Sequence, residues 1–373
     1  MAKLTWTIDN STTSTDITHL VRSINIPFGR QSPLSPYSGN AATITISSYG
    51  GTNDLVNIQE RIRLKISTGA EPTKLIFYGV ITSRIYDDQP GTGINSTLTI
   101  TVNDFVLEAG MANFENQTLS NVINQLGEIS SVLPQFEVTA DNTAVSIATG
   151  TFSVNAAQRI NEIVSADRGI LKWTQTTLDP LLFTYKTPQN FSRTTALTIG
   201  PTTSATQVAY QDLVRVEAAS NSLFYTQATV TGAASTVTSN NTDAQSVYGI
   251  RTFTATTAQS NLVADTADYY ANAFSDPYVE TLLISLTDTA QNDLALIELY
   301  EYIWRGPNFV EIFYTPPGES EISGYFYPDQ MVLNVTPAQT TINFVMTPAT
   351  YYSNFELDST VFGVLDTDRL GVS

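Results

Sequence analysis

The chain has 373 residues, a formal net charge of −18, 42% hydrophobic and only 14% charged residues, no Cys and one His. Its length exceeds what one core usually organises, so two or three domains are expected. The missing Cys removes disulfide frameworks, thiol nucleophiles and Cys-ligated zinc, and scarce Lys and Arg argue against tight nucleic-acid binding, which needs clustered cations to neutralise phosphates.

The N-terminus runs from Met1, Ala2 and Lys3 directly into the alternation Leu4, Trp6, Ile8. No apolar segment or small-residue cleavage site precedes it, so no secretory signal is expected. Nor does any apolar run approach the roughly 18 residues of a membrane-spanning helix, and the chain is expected to be made as a soluble protein. His19 follows, in a turn entering a strand, and reads as a surface or packing histidine. The segment from Pro27 to Gly39 is rich in Pro and Gly and reads as a long loop, functional or engaged in a subunit contact. Apolar residues then alternate at Ile44 and Ile46, at Ile62, Leu64 and Ile66, from Leu75 to Ile85, and at Leu98, Ile100 and Val102. This period of two, broken by turn residues at 68–72 and 87–93, predicts an antiparallel meander over residues 1–108. In the run Ile62, Leu64 and Ile66 the residues Arg61, Arg63 and Lys65 form the opposite, basic face.

After Asp104 the period changes. Leu119, Val122, Ile123 and Leu126 fall at helical spacing between a Thr118 N-cap and Gly127. A second helix is expected from Ser153, with Ala157, Ile160, Ile163 and Val164 on one face and Arg168-Gly169 as its stop. Ile170 to Thr174 and Leu181 to Lys186 read as a hairpin. Residues 109–206 are therefore expected to be a small α/β domain.

From Val208 strands return, at 213–218, 223–230, 247–253, 278–286, 309–314, 331–335 and 342–346. A polar, nearly uncharged loop at 231–245 and a helix at 258–275 interrupt them. That helix carries Leu262, Val263, Thr266, Tyr270 and Phe274 on one side and is closed by Pro277. The fold class expected is α+β, mainly β: a first barrel at 1–108, an α/β insertion at 109–206, a second barrel at 207–350 and a C-terminal extension at 351–373.

Asp plus Glu against Lys plus Arg number 8 and 8 over residues 1–105, 8 and 5 over 106–205, and 19 and 4 over 206–373. Nearly all the excess acid lies in the last part, where it either repels passing phosphates or keeps the surface soluble.

Parts for catalysis are scarce. A Ser-His-Asp triad would depend on His19, and there is no phosphate-binding loop, His-Glu-x-x-His or dinucleotide-binding glycine pattern. Paired acids of the glycosidase kind remain at Asp87 with Asp88, Glu319 with Glu321, and Asp366 with Asp368. Each lies in a turn-rich stretch where acids face solvent for ordinary reasons. Asp366 and Asp368 lack the other ligands and the glycine of a calcium loop. No catalytic, cofactor-binding or metal-binding residue is assigned, and no cofactor.

Several segments, in order, resemble tail hub proteins of tailed bacteriophages, the group similar to baseplate hubs of contractile-tailed phages and to minor tail proteins of flexible-tailed ones. They are Asp16 to Val21, Phe28-Gly29-Arg30, Ala42 to Ile46, Phe77 to Ile81, Ser246 to Arg251 with the helix at 258–275 and Asp276-Pro277, and Leu357 to Leu370. The resemblance implies two tail-tube-like β-barrels per chain and a homotrimer, so that six barrels present pseudo-sixfold symmetry to a sixfold tube. It further implies a place at the distal end of the virion tail after synthesis in the host cytoplasm. Its partners there would be a distal tail or tube ring protein, a tape-measure protein, fibre or tip proteins, and genomic DNA that passes without tight binding. Arg61, Arg63, Lys65, Tyr248 and Arg251 are the subunit-interface candidates. Acids of the second barrel are expected to line the lumen, although no individual residue is assigned. The rival is a carbohydrate- or receptor-binding adhesin with Tyr351, Tyr352 and the cluster Tyr325, Phe326 and Tyr327 as its aromatic platform; a glycan hydrolase on one of the acid pairs is a further alternative.

Overall fold

The computed structural model describes residues 5–9, 14–37, 39–47, 61–67, 74–87, 96–119, 136–140, 150–166, 170–173, 181–186, 198–202, 207–210, 215–218, 223–232, 234–257, 263–275, 280–287 and 309–351. The first hundred residues give β1 (Thr5–Asp9), β2 (Ser14–Asp16), β3 (Val21–Gly29), β4 (Ala41–Ser47), β5 (Arg61–Ser67), β6 (Lys74–Asp87) and β7 (Thr97–Asn103). They pair antiparallel in the order β2-β1-β5-β6-β7-β4-β3. Strict alternation drives this: Ala42, Ile44 and Ile46 on β4 and Leu98, Ile100 and Val102 on β7 are fully buried, with threonines between them. His19 is exposed in the turn before β3.

The Pro27–Gly39 segment is not all loop. Residues 27–29 complete β3, because β21 of the second half lies alongside and supplies their ladder.

The middle region contains α1 (Phe105–Met111), β8 (Asn113–Leu119), β9 (Phe136–Ala140), β10 (Gly150–Asn155), α2 (Ala156–Ala166), β11 (Ile170–Trp173) and β12 (Leu181–Lys186). The expected hairpin is there, with Ile170 opposite Lys186 and Trp173 opposite Phe183, and β9 joins β12 in parallel. The second helix starts at Ala156, later than Ser153, since β10 continues to Asn155, whose side chain then accepts from Gln158 N at 2.7 Å. Thr118 and Leu119 belong to strand β8, paired with Thr151 and Gly150, so no helix is capped at Thr118. Val122, Ile123 and Leu126 lie outside the described residues. Between β7 and β8 stands the unexpected α1, capped by Asp104, which accepts from Leu107 N at 2.8 Å.

The last part contributes β13 (Thr198–Gly200), β14 (Gln207–Ala209), β15 (Arg215–Ala218), β16 (Gln227–Thr231), β17 (Thr236–Asn240), α3 (Thr242–Tyr248), β18 (Thr252–Thr256), α4 (Val263–Ala273), β19 (Glu280–Thr287), β20 (Val310–Tyr314), β21 (Ile322–Val335) and β22 (Thr340–Pro348). The expected loop at 231–245 is instead a hairpin partner and a helix. β17 pairs with β16 through alternating threonines, and α3 is capped by Asn241, which accepts from Ala244 N. The strand expected at 247–253 accordingly begins only at Thr252. The expected helix at 258–275 is seen as α4, with Val263, Thr266 and Phe274 buried as its spacing requires.

The two halves share one sheet. β21 runs antiparallel to β3 on one side and to β20 and β22 on the other, giving the order β14-β13-β20-β21-β3-β4-β7-β6-β5-β1-β2, while β22, β19 and β15 branch from β21. Apolar residues from both halves form one core. No sheet closes on itself among the described residues. The mainly-β reading stands; among the described residues the two expected barrels are seen as open strands of one sheet, joined through the β3–β21 ladder. A separate three-stranded sheet, β17-β16-β18, packs Val230 on Val263 and Ala267 of α4.

Candidate assembly surfaces

Tyr248 and Arg251 come together on one aromatic ring. Phe224 is buried, Tyr248 meets it edge-on at 5.3 Å, and the Arg251 guanidinium lies 4.9 Å from its centroid. A rigid turn brings them there. Gly249 ends α3 at φ 75°, a left-handed conformation open to glycine. Thr226 Oγ1 donates to Gly249 O at 2.8 Å and accepts from Arg251 N at 2.9 Å. The same turn leaves Val247 69% and Ile250 68% exposed. Two apolar side chains thus stand outward beside a turn held by part-buried hydrogen bonds. Tyr248 and Arg251 were legible as candidates, whereas Val247 and Ile250 were not, since a strand reading of 247–253 gives them no special place.

Arg61, Arg63 and Lys65 occupy alternate positions of β5, opposite Val80, Tyr78 and Leu75 of β6. They belong to the large sheet, and Tyr248 and Arg251 flank the small one. The fold therefore gives two separate candidate surfaces.

The junction between the halves is built around Arg30. Its Nε donates to Asp329 Oδ1 at 3.0 Å and its backbone N to Asp329 O at 2.8 Å, with both side chains buried. The Arg30 guanidinium stands 5.2 Å from the Tyr37 ring. Burial holds the Tyr327 hydroxyl well above its ordinary pKa, with Tyr37 and Asp329 adding to the effect. This pair had no sequence signal, since its members lie 299 residues apart.

The large sheet has a second face, away from the core. Register places Thr287, Thr341, Asn334, Asn25, Thr43, Thr101 and Ser83 in one row across β19, β22, β21, β3, β4, β7 and β6. Neighbouring rows are Ser285, Asn343, Val332 and Pro27, and Ser23, Thr45, Thr99 and Ile85. Side chains bond within the face: Asn25 Nδ2 donates to Asn334 Oδ1 at 2.6 Å and Ser285 Oγ to Asn343 Oδ1 at 2.8 Å, and the Thr45 and Thr99 hydroxyls are 3.2 Å apart. Within these seven strands the described charges of the face stand at one margin, with Arg22, whose Nε donates to Ser47 Oγ, and Asp87, while the adjoining β5 carries Arg61, Arg63 and Lys65 at the positions that alternate with the buried Ile62 and Leu64. The described acids of the second half are Glu217 on β15, Asp243 on α3, Asp265 and Asp268 on α4, Glu280 at the start of β19, Glu311 on β20, Glu319 and Glu321 on or beside the exposed β20–β21 turn, and the buried Asp329 on β21.

The rival sites fare differently. Tyr351 is 1% and Tyr327 3% exposed, with Tyr351 stacked on Phe274, so these two rings and Phe326 of the expected aromatic platform are core, and Tyr325 is half-buried. Tyr352, Asp88, Asp366 and Asp368 lie outside the described residues. Asp87, Glu319 and Glu321 are exposed. Among the described residues there is no cluster of three or more His, Asp or Glu that could hold a metal, and no helix is long and apolar enough to cross a membrane.

No family model and no curated protein matches the sequence. Solved structures do match the fold. A tail protein from Neisseria meningitidis MC58 superposes with a TM-score of 0.62 at 12% identity, covering 92% of this chain and 96% of that one. The 43 kDa tail protein of prophage MuSo2 from Shewanella oneidensis gives 0.59 at 10%, covering 94% and 98%. An E. coli component of the type VI secretion system, itself structurally similar to the T4 bacteriophage tail proteins gp27 and gp5, gives 0.50 at 10%, covering 91% and 76%. At these identities the likeness is one of fold: this chain has the fold of phage tail proteins.

Proposed function

We propose that the chain is a structural tail hub of a tailed phage. In this reading three copies form a pseudo-sixfold ring at the distal end of the virion tail. The ring joins the tube above to tip or fibre proteins below and leaves a bore for the genome. The observation that carries the reading is the end-to-end agreement of fold with two tail proteins, each covered over more than nine tenths of its length. The joint sheet supports it too, since each half contributes strands to one continuous wall through β3 and β21.

The residue roles follow. Val247, Tyr248, Ile250 and Arg251 form one contact patch between subunits or toward a neighbouring tail protein, where a desolvated aromatic and Arg cluster is worth most. Arg61, Arg63 and Lys65 face an acidic neighbour, for which the acid-rich second half of the next copy is suited. The tube ring, tape-measure and fibre or tip proteins are the expected partners. No chemical step is assigned to any residue.

Light scattering of the purified full chain, followed by reconstruction of the assembled particle, tests the reading. A trimer placed at the tail tip is expected; a monomer at micromolar concentration that is missing from particles sinks it.

A further inference from the structure

We infer that residues 30–37 are a stiff strap through which the seating of α2 sets the strength of the β3–β21 junction. The coupling is a property of the single chain, so it stands whether or not the chain assembles as a hub.

The strap has a fixed shape of its own. It runs between β3 and β4 and belongs to no strand. Ser35 N donates to Ser32 O at 3.0 Å, the Ser32 and Ser35 hydroxyls are 2.8 Å apart, and the rings of Pro33 and Pro36 fix φ on either side. Its ends meet, because the Arg30 guanidinium lies 5.2 Å from the centroid of the Tyr37 ring. A closed loop stiffened by proline passes on a displacement that a flexible one absorbs.

The strap is bonded to two other parts of the molecule. At Tyr37 the Asn161 side chain of α2 takes the place of a strand partner: it accepts from Tyr37 N at 2.7 Å and donates to Tyr37 O at 2.9 Å. Asn161 Nδ2 also reaches Ala157 O at 3.1 Å, which fixes the amide on its helix. At the other end Arg30 holds Asp329 of β21 through both its backbone N and its Nε. A hydrogen bond between the Tyr37 and Tyr327 side chains adds a second tie to the same strand. These contacts stand beside the first rung of the junction, where Gly29 pairs with Gln330 just past the irregularity of β21 at Pro328.

Packing offers α2 a second route, since Ala156 and Ile160 belong to the shared core. The two routes differ in kind. Apolar neighbours close over a small shift, whereas a buried polar joint that is only partly made strands an amide or a charge. The strap therefore carries the tighter coupling, and a partner that moves α2 loosens the joint between the halves.

Hydrogen exchange on the full chain separates the routes. Asn161→Ala is expected to speed exchange at residues 24–28 and 331–335 about tenfold while residues 98–102 of β7 stay protected. Gln158→Ala, on the exposed side of the same helix, is expected to change neither. Pro33→Gly with Pro36→Gly keeps every anchor and softens the strap, and adding Asn161→Ala to that chain is expected to speed the ladder by no more than about twofold. Acceleration confined to α2 and residues 37–40 overturns the inference. So does equal acceleration of β7, which would mean a general loss of stability, and so does an undiminished effect of Asn161→Ala in the softened chain. Asn161→Asp keeps the acceptor for Tyr37 N and loses the donor to Tyr37 O; it is read by the same criteria, so the outcome does not depend on the alanine variant folding.

Discussion

Arg30 and Asp329 form an ion pair of 3.0 Å that is buried on both sides and joins the end of β3 to β21. A buried pair of this kind contributes little over a well-packed apolar one, yet breaking it by removing one partner strands a charge. Arg30→Met is therefore expected to destabilise the chain by about 3–5 kcal/mol in urea denaturation, and adding Asp329→Leu should restore most of the loss. Similar losses for the single and double variants would show that packing, not the stranded carboxylate, sets the cost.

Gly29 precedes that pair at φ 96°, and a Cβ there would stand 2.0 Å from Asp329 O. Backbone blocks backbone, so no rotamer change relieves it. Gly29→Ala is expected to cost at least about 2 kcal/mol and to loosen the β3–β21 ladder. Hydrogen exchange should accelerate at residues 24–28 and 331–335 while β7 stays protected. Unchanged exchange across β3 would refute this.

Asp104 caps α1 and accepts backbone N–H groups from Leu107 and Asn40. Burial nonetheless outweighs those donors and raises its carboxyl from 3.8 to about 7. The sign follows from proton counting. Between these values the folded chain binds more proton than the unfolded one, so this group makes stability fall as pH rises from about 4 to about 7 and adds no slope above. Asp104→Asn should remove that slope, an effect on the order of a few kcal/mol across the window. Denaturation midpoints at several pH values decide it: parallel curves for parent and variant would mean the carboxyl titrates normally.

How much of this could be read in the sequence depended on whether a segment's partner was local. The strands β4, β5, β7 and β22 alternate strictly, and α2 and α4 keep a helical period because each lays one face on a core. By contrast α3 buries no residue at all, so its sequence had no apolar period to show. The strand character of Pro27 to Gly29 depends on β21, about 300 residues away, and that segment does not signal strand alone, whereas the strand expected at 331–335 is the part of β21 that pairs with β3. The seven-residue row is a product of register across six ladders, which no single segment contains. Tyr351 and Tyr327 misled for the opposite reason: an aromatic-rich stretch looks the same whether its rings are platform or core.

The outward patch beside α3 gives the last test. Val247 and Ile250 support no core of their own, so Val247→Asp with Ile250→Asp should shift folding stability by no more than about 0.5 kcal/mol for each substitution. If the patch is a subunit contact, two buried acids at its centre would cost enough to weaken self-association at least about tenfold. Sedimentation of parent and variant over a dilution series reads this directly. Thr226→Val separates contact from presentation, since it removes the hydroxyl that binds Gly249 O and Arg251 N while leaving Val247 and Ile250 in place. A weaker assembly in that variant, with the fold intact, would show that the turn's rigidity contributes to association, as preorganised surfaces should. Unchanged association in both variants would move the patch from the subunit interface to a different tail partner.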